Sequence, residues 1–241
     1  MNNDNAQISN WPVVTGCHRV SEGCNSCPSY WEYEAEGKSY EPVEHPTVLD
    51  TPLLNSEPTH YEVAFGSDLF HADVTLNFQK LVFEVMNKAD WHTFSVGTKR
   101  IGRALIYSSS LKWSDNIVCT VPIESGKYEW RIDLLRRMPA KTKVISIVPI
   151  LGPFSSDLDL SGIDAVGVKE ETWGYKRPAD PAWKKDIQRQ CLEQEISFGD
   201  SAVSYIKEGQ EQYLRVRLPL VMQDFKAKWL DRTPNWHDAT K

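Results

Sequence analysis

Short runs rich in β-branched residues recur along this chain of 241 residues, at 61–65, 92–97, 117–123, 143–150, 165–169 and, more weakly, 196–199. Most are apolar and do not alternate, the pattern of strands covered on both faces of a parallel sheet. Helical segments separate them. Phe78, Leu81, Val82 and Val85 fall at helical spacing within 78–88. Residues 99–111 form a second helical segment, although Gly102 costs about 1 kcal/mol of helix propensity there. The stretch 128–138 is amphipathic and stopped by Pro139, and 181–195 opens on Asp180-Pro181, an N-cap followed by proline at the first helical position. Strand then helix, repeated, predicts an α/β fold. Right-handed crossovers would curl its parallel sheet into a full or partial (β/α) barrel.

A chain of this length suits one domain, here expected over 1–201, with a small C-terminal extension over 202–241. Past residue 202 the pattern changes, and 205–220 reads as a hairpin and 221–230 as a terminal helix. Residues 37–60 hold Pro42, Pro46, Pro52 and Pro58 with little periodicity. They read as a long irregular connection over the first helix, a candidate lid.

An early run, 11–14, leads straight into Cys17, Cys24 and Cys27, spaced C-x6-C-x2-C with no fourth cysteine nearby. Three thiolates are one short of a closed structural metal site. In a four-iron, four-sulfide cluster (4Fe-4S) they leave one iron open, where an amine and carboxylate can chelate. S-adenosylmethionine binds this way in radical enzymes, and one electron from the cluster then breaks its C–S bond. Such chemistry needs a loop at the open end of a strand and ahead of a helix, and 28–36 supplies the helix. Zinc and plain buried thiols are the alternatives. Zinc needs a fourth ligand; His18 is poorly placed beside Cys17, and His45, His60 or His71 would serve only by tertiary contact. Cys119 and Cys191 read as small buried residues.

Carboxylates outnumber basic residues 33 to 27, for a net charge of -6, which argues against non-specific coating of duplex nucleic acid. No leader or membrane-spanning run is visible, so a cytoplasmic location with reduced thiols and no membrane partner is expected. Of the nine tryptophans, Trp91, Trp113, Trp130 and Trp183 are expected in the core by default.

Beyond the cysteines, the chain resembles a phage-associated three-cysteine family that is similar to radical S-adenosylmethionine enzymes and, distantly, to photoproduct lyases. The resemblance is carried by Asn10-Trp11-Pro12-Val13-Val14-Thr15-Gly16-Cys17 and by Val20-Ser21-Glu22-Gly23-Cys24 with Cys27. It continues through Ser67-Asp68-Leu69-Phe70, Thr98-Lys99-Arg100, Ile123-Glu124-Ser125, Pro149-Ile150-Leu151-Gly152-Pro153 and Glu171 to Arg177-Pro178, about 10–200 in one order. It implies a partial (β/α) barrel of radical SAM type, a host-cell cytoplasmic location if phage-encoded, and an external one-electron donor. The chain departs from the family pattern at Pro28, Val148, Lys169-Glu170 and Gly199-Asp200-Ser201, so a divergent substrate pocket around a retained cluster site is expected.

The remaining candidates lie at strand ends, where barrel sites form. Asp68 and His71 follow the first long strand and are read as proton-transfer or substrate groups; the plain alternative is a capping Asp and a surface His. Lys99 and Arg100 would grip a phosphate or carboxylate, and two cations are unfavourable at an ordinary helix start. Asp68 and Lys99 are taken as catalytic and Arg100, His71, Glu171 and Arg177 as substrate-binding. Glu124, Ser125, Thr98 and Tyr30 are taken as contacts to S-adenosylmethionine; for Glu124, Ser125, Glu171 and Arg177 an ordinary surface role is the alternative, and for Thr98-Lys99-Arg100 a solvated helix start. The expected function is radical modification or rearrangement of a modified pyrimidine in phage DNA, protecting it from nucleases. A nucleic-acid base or nucleotide would be the partner, flipped out if it comes from duplex. The alternatives are a repair lyase, a zinc-binding interaction protein, and a degenerate enzyme that keeps its cluster.

Overall fold

The computed structural model describes residues 7–199. They form an α/β fold around a seven-stranded parallel sheet: β1 (Gln7–Trp11), β4 (Thr59–Val63), β5 (Thr93–Gly97), β6 (Ile117–Pro122), β7 (Thr142–Ile147), β8 (Ala165–Val168) and β9 (Ser197–Gly199). The strands lie side by side in that order, each parallel to the last, with β1 and β9 at the edges. A second, two-stranded antiparallel sheet pairs β2 (Val14–Thr15) with β3 (Val43–Glu44). The helices are α1 (Pro28–Ala35), α2 (Thr51–Leu54), α3 (Leu76–Lys88), α4 (Ile101–Tyr107), α5 (Trp130–Arg136) and α6 (Pro181–Glu193).

Local chemistry explains the boundaries. Thr75 accepts the Phe78 amide at 3.1 Å and so caps α3, and Asp180 does the same for Ala182 at 2.8 Å ahead of Pro181 in α6. The helix expected over 99–111 is shorter. Asp68 holds the Lys99 amide outside it, and a Ser108–Ser110 turn follows it, serine being a residue that competes for backbone bonds. The strand expected at 11–14 splits. Its first residue ends β1, whereas Val14 turns off the main sheet to pair with β3. The connection 37–60 is more ordered than its composition suggests, holding β3, a Pro46–Val48 turn, α2 and the start of β4.

Trp11, fully buried, packs on Tyr61 and Phe94 from the neighbouring strands and donates its Nε1 proton to Val48 O at 2.8 Å, tying that connection to the core. β6 is buried along most of its length and β8 throughout, as expected for strands covered on both faces. Trp113 and Trp183 pack against the core, but Trp91 and Trp130 are 40% and 53% exposed, against expectation. Cys119 and Cys191 are fully buried, and burial pushes both thiols up to about 12. Among the described residues no helix is long and apolar enough to cross a membrane. The hairpin and helix expected over 202–241 lie outside the described residues.

Candidate functional site

The residues singled out at strand ends gather at the C-terminal edge of the sheet, because every strand points the same way. After β1 and β2 the chain enters the cysteine loop. Gly16 has φ +76, and a Cβ there would run into the carbonyls of Tyr40 and Glu41. Only glycine allows this approach, which the Cys17 amide completes by donating to Tyr40 O at 2.9 Å. A 3-10 turn, Glu22–Ser26, carries Cys24, and Cys27 is the N-cap of α1 ahead of Pro28. Gly23 packs against Glu124, whose Oε1 would lie 2.5 Å from a Cβ.

All three thiols are free and half-buried. Each faces a polar group from elsewhere in the fold. Arg100 donates to Cys17 Sγ at 3.4 Å, Lys99 donates to Cys24 Sγ at 3.4 Å, and the Tyr40 hydroxyl lies 4.0 Å from Cys27 Sγ. The thiols also feel one another: burial raises Cys17, with the Cys24 charge adding to the rise and Arg100 opposing it. Burial pushes Cys24 up too, but the Lys99 ammonium, the Ser21 hydroxyl and nearby backbone outweigh it and hold Cys24 below its ordinary value. Burial, then Cys27 and Cys17, pushes the Tyr40 phenol up, so it stays a hydroxyl.

Two buried carboxylates organise the cations. Asp68, 3% exposed, accepts from the Phe70 amide and Thr98 hydroxyl through Oδ1 (2.9 and 2.7 Å) and from the Lys99 amide and Arg100 guanidinium through Oδ2 (3.2 and 2.9 Å). Four donors occupy it, which makes it an anchor for Arg100 and not a base free to move protons. Glu124, 1% exposed, is bonded through Oε1 by Lys99 Nζ and by Ser21 at 2.5 Å. Its Oε2 has no hydrogen-bond partner; the Arg131 guanidinium is 3.6 Å away. That buried, orphaned oxygen is the strongest local sign of a missing donor.

The other candidates surround the loop. Arg177 forks onto Glu171 at 2.5 and 2.9 Å and donates to Glu22 O at 3.1 Å, closing 171–177 against the loop. Ser125 precedes the Gly126–Tyr128 turn, and Tyr30, on α1, lies under the Arg19 guanidinium at 3.8 Å. His71 is 2% exposed, not a surface residue. With His18 and Asp73 it offers ligand atoms within 4.8 Å of one another. The Asp73 amide, however, donates to His71 Nδ1 at 3.1 Å, which puts the ring proton on Nε2. Nε2 lies 3.1 Å from His18 Nδ1, and His18 Nε2 reaches Glu41 at 2.9 Å. A proton thus fills the gap, and His18 is committed elsewhere than beside the thiols.

Thus Asp68, Thr98, Lys99, Arg100 and Glu124 join Cys17 and Cys24 in one network, while His71, Tyr30, Ser125, Glu171 and Arg177 stand around it. Sequence reasoning missed Tyr40, Ser21 and Arg131. Tyr40 sits in a proline-rich stretch without periodicity, and Arg131 is masked by the helical pattern of α5; Ser21, between Val20 and Gly23-Cys24, lay within the quoted motif and was there to be found.

Three half-buried thiols thus lie on one loop with two cations facing them, a donor set an iron–sulfur group could use, and among the described residues no histidine ring bonds to them. No curated protein and no solved structure matches the chain. A family model described as a protein of unknown function (DUF5131) matches residues 6–204, which is most of the chain, and the chain belongs to that family.

Proposed function

We propose that this protein is a radical S-adenosylmethionine enzyme, with its open parallel sheet serving as a partial (β/α) barrel. Cys17, Cys24 and Cys27 would hold a 4Fe-4S cluster, and Glu124 would accept from the S-adenosylmethionine amine. When bound, the cluster supplies one electron that cleaves S-adenosylmethionine to a hydrogen-abstracting 5′-deoxyadenosyl radical, with an external donor restoring the electron. Lys99 and Arg100 offset the thiolate charge, Asp68 and Thr98 hold Arg100 in place, and Ser21 fixes the Glu124 carboxylate. The single observation that carries the reading is three half-buried thiols, two faced by half-buried cations, beside a buried carboxylate oxygen left without a donor.

The substrate proposed is a nucleic-acid base or nucleotide, a modified pyrimidine of phage DNA by the family resemblance, with a repair-lyase reaction as the variant. Anaerobically reconstituted protein should be brown and hold about four irons per chain. It should release 5′-deoxyadenosine on reduction with S-adenosylmethionine, and Cys24→Ala should abolish that release. Colourless protein with one zinc would sink the proposal in favour of a zinc-stabilised interaction protein.

A further inference from the structure

Tyr175 is 65% exposed, yet the backbone on both sides of it is bent into the left-handed region: Gly174 has φ +61 and Lys176 φ +47. A non-glycine residue there costs about 1–2 kcal/mol, and Gly174 itself has no room for a side chain, since a Cβ would lie 2.8 Å from Ser26 Oγ. The Tyr175 amide lies 3.4 Å from Ser26 Oγ, and the Glu171–Arg177 ion pair closes the segment at its base. The fold thus holds a large aromatic ring out in solvent, one residue's contact away from Cys27. Core packing does not account for it.

Tyr175 stands edge-on to Trp31, with centroids 6.3 Å apart and planes at 81°. Trp31 is oriented by its Nε1 bond to Asn25 O at 3.1 Å, and α1, which carries it, has no fully buried residue. Behind it Tyr30 is perpendicular to both Trp31 and Tyr40, at 6.3 and 5.6 Å, and Tyr40 ends at Cys27. A row of rings therefore runs from the exposed Tyr175 to the cysteine site. Arg19 is stacked on Tyr30, in the inner half of the row, and Lys176 follows Tyr175 in the chain.

We propose that Tyr175 and Trp31 form a stacking subsite for a nucleobase. Perpendicular rings give a planar ligand a face to lie on and a wall for its edge, and stacking on aromatics tolerates any base. The inference rests on the proposed function only for what happens to the base afterwards; binding requires no cluster.

The test is binding by the full chain, prepared anaerobically, to thymidine monophosphate by calorimetry and to a short labelled single-stranded oligothymidylate by anisotropy. Tyr175→Ala should weaken binding by about 10-fold or more, and Tyr175→Phe should bind like the parent. Tyr175→Ala should keep its iron content and thermal midpoint, since the ring is exposed. Preference for the oligomer would identify a single strand as the source of the base, and preference for the monomer a free nucleotide. Undiminished binding by both Tyr175→Ala and Trp31→Ala, or no binding of either probe by the parent, would overturn the subsite. Loss of iron with Tyr175-dependent binding intact would instead overturn the proposed function alone.

Discussion

Asp68 and Arg100 show how much of the site depends on single side chains. Removing a partner from a buried, hydrogen-bonded ion pair strands the other charge, at a cost of about 3–5 kcal/mol. Asp68→Ala should therefore lower unfolding free energy by about 3 kcal/mol, read from urea midpoints, whereas Asp68→Asn keeps part of the bonding and should lose less. An unchanged midpoint for Asp68→Ala would show that Arg100 is not held as described. The thiols differ from one another in the same residue-level way. Lys99 and Ser21 draw Cys24 below its ordinary value while burial holds Cys17 above it. In metal-free protein near pH 8, iodoacetamide should label Cys24 before Cys17, as peptide mass spectrometry would show; the reverse order would refute the assignment. That Asp68, Lys99 and Arg100 would stand at strand ends was legible in the sequence. Their bonding to one another was not. Asp68 reads as a base until its donors at Thr98, Lys99 and Arg100 are seen, some thirty positions further along the chain.

At the level of elements, the cysteine loop is fastened from every side by segments distant in sequence. Gly16 fits under the carbonyls of Tyr40 and Glu41, Ser67 donates to Gly16 O at 2.5 Å, and Lys127 and Tyr128 both bond Glu22. Gly16→Ala combines a left-handed backbone with a collision against carbonyl oxygens. It should cost at least about 2 kcal/mol and impair iron uptake, while Gly37→Ala, with open space around it, should cost less and leave uptake intact. The Glu22 clasp carries a pH signature. Its bonds to Lys127 and Tyr128 hold Glu22 at about 2, below the usual 4.5. A depressed carboxylate adds stability above its unfolded value and loses it as pH falls toward the folded one. The denaturant midpoints of parent and Glu22→Gln should thus differ near pH 7 by a small, solvent-screened margin and converge between about 4.5 and 2. A gap that widens in acid would contradict the clasp. Such fastenings leave no periodic trace in the sequence. The regular elements do, and for that reason 78–88 and 181–195 were placed nearly to the residue, while β3 and α2, two and four residues long, were not.

Across the whole molecule, parallel strands in sequence order put every strand-end loop on one edge, and this much followed from the alternation of strand and helix alone. Whether the sheet curls toward closure was not written in that alternation, because closure depends on how the last elements meet the first. The cysteine loop lies between β2 and α1 but is bonded to the ends of β4, β5, β6 and β8 through Ser67, Lys99, Arg100, Glu124 and Arg177. A group bound by its three thiols is therefore coupled to most of the sheet. Ligands that bind only the folded state stabilise it by mass action, about 4 kcal/mol at a thousandfold excess over Kd. For a domain of this size each kcal/mol shifts the melting midpoint by about 2–4 °C. Iron loading should therefore raise the midpoint by roughly 10 °C, and a chelator under reducing, anaerobic conditions should reverse the rise. Cys24→Ala and Cys27→Ala should melt near the metal-free midpoint and show no rise. If parent and Cys24→Ala respond alike to iron, the metal is bound elsewhere, and the thiols are merely half-buried neighbours of two cations.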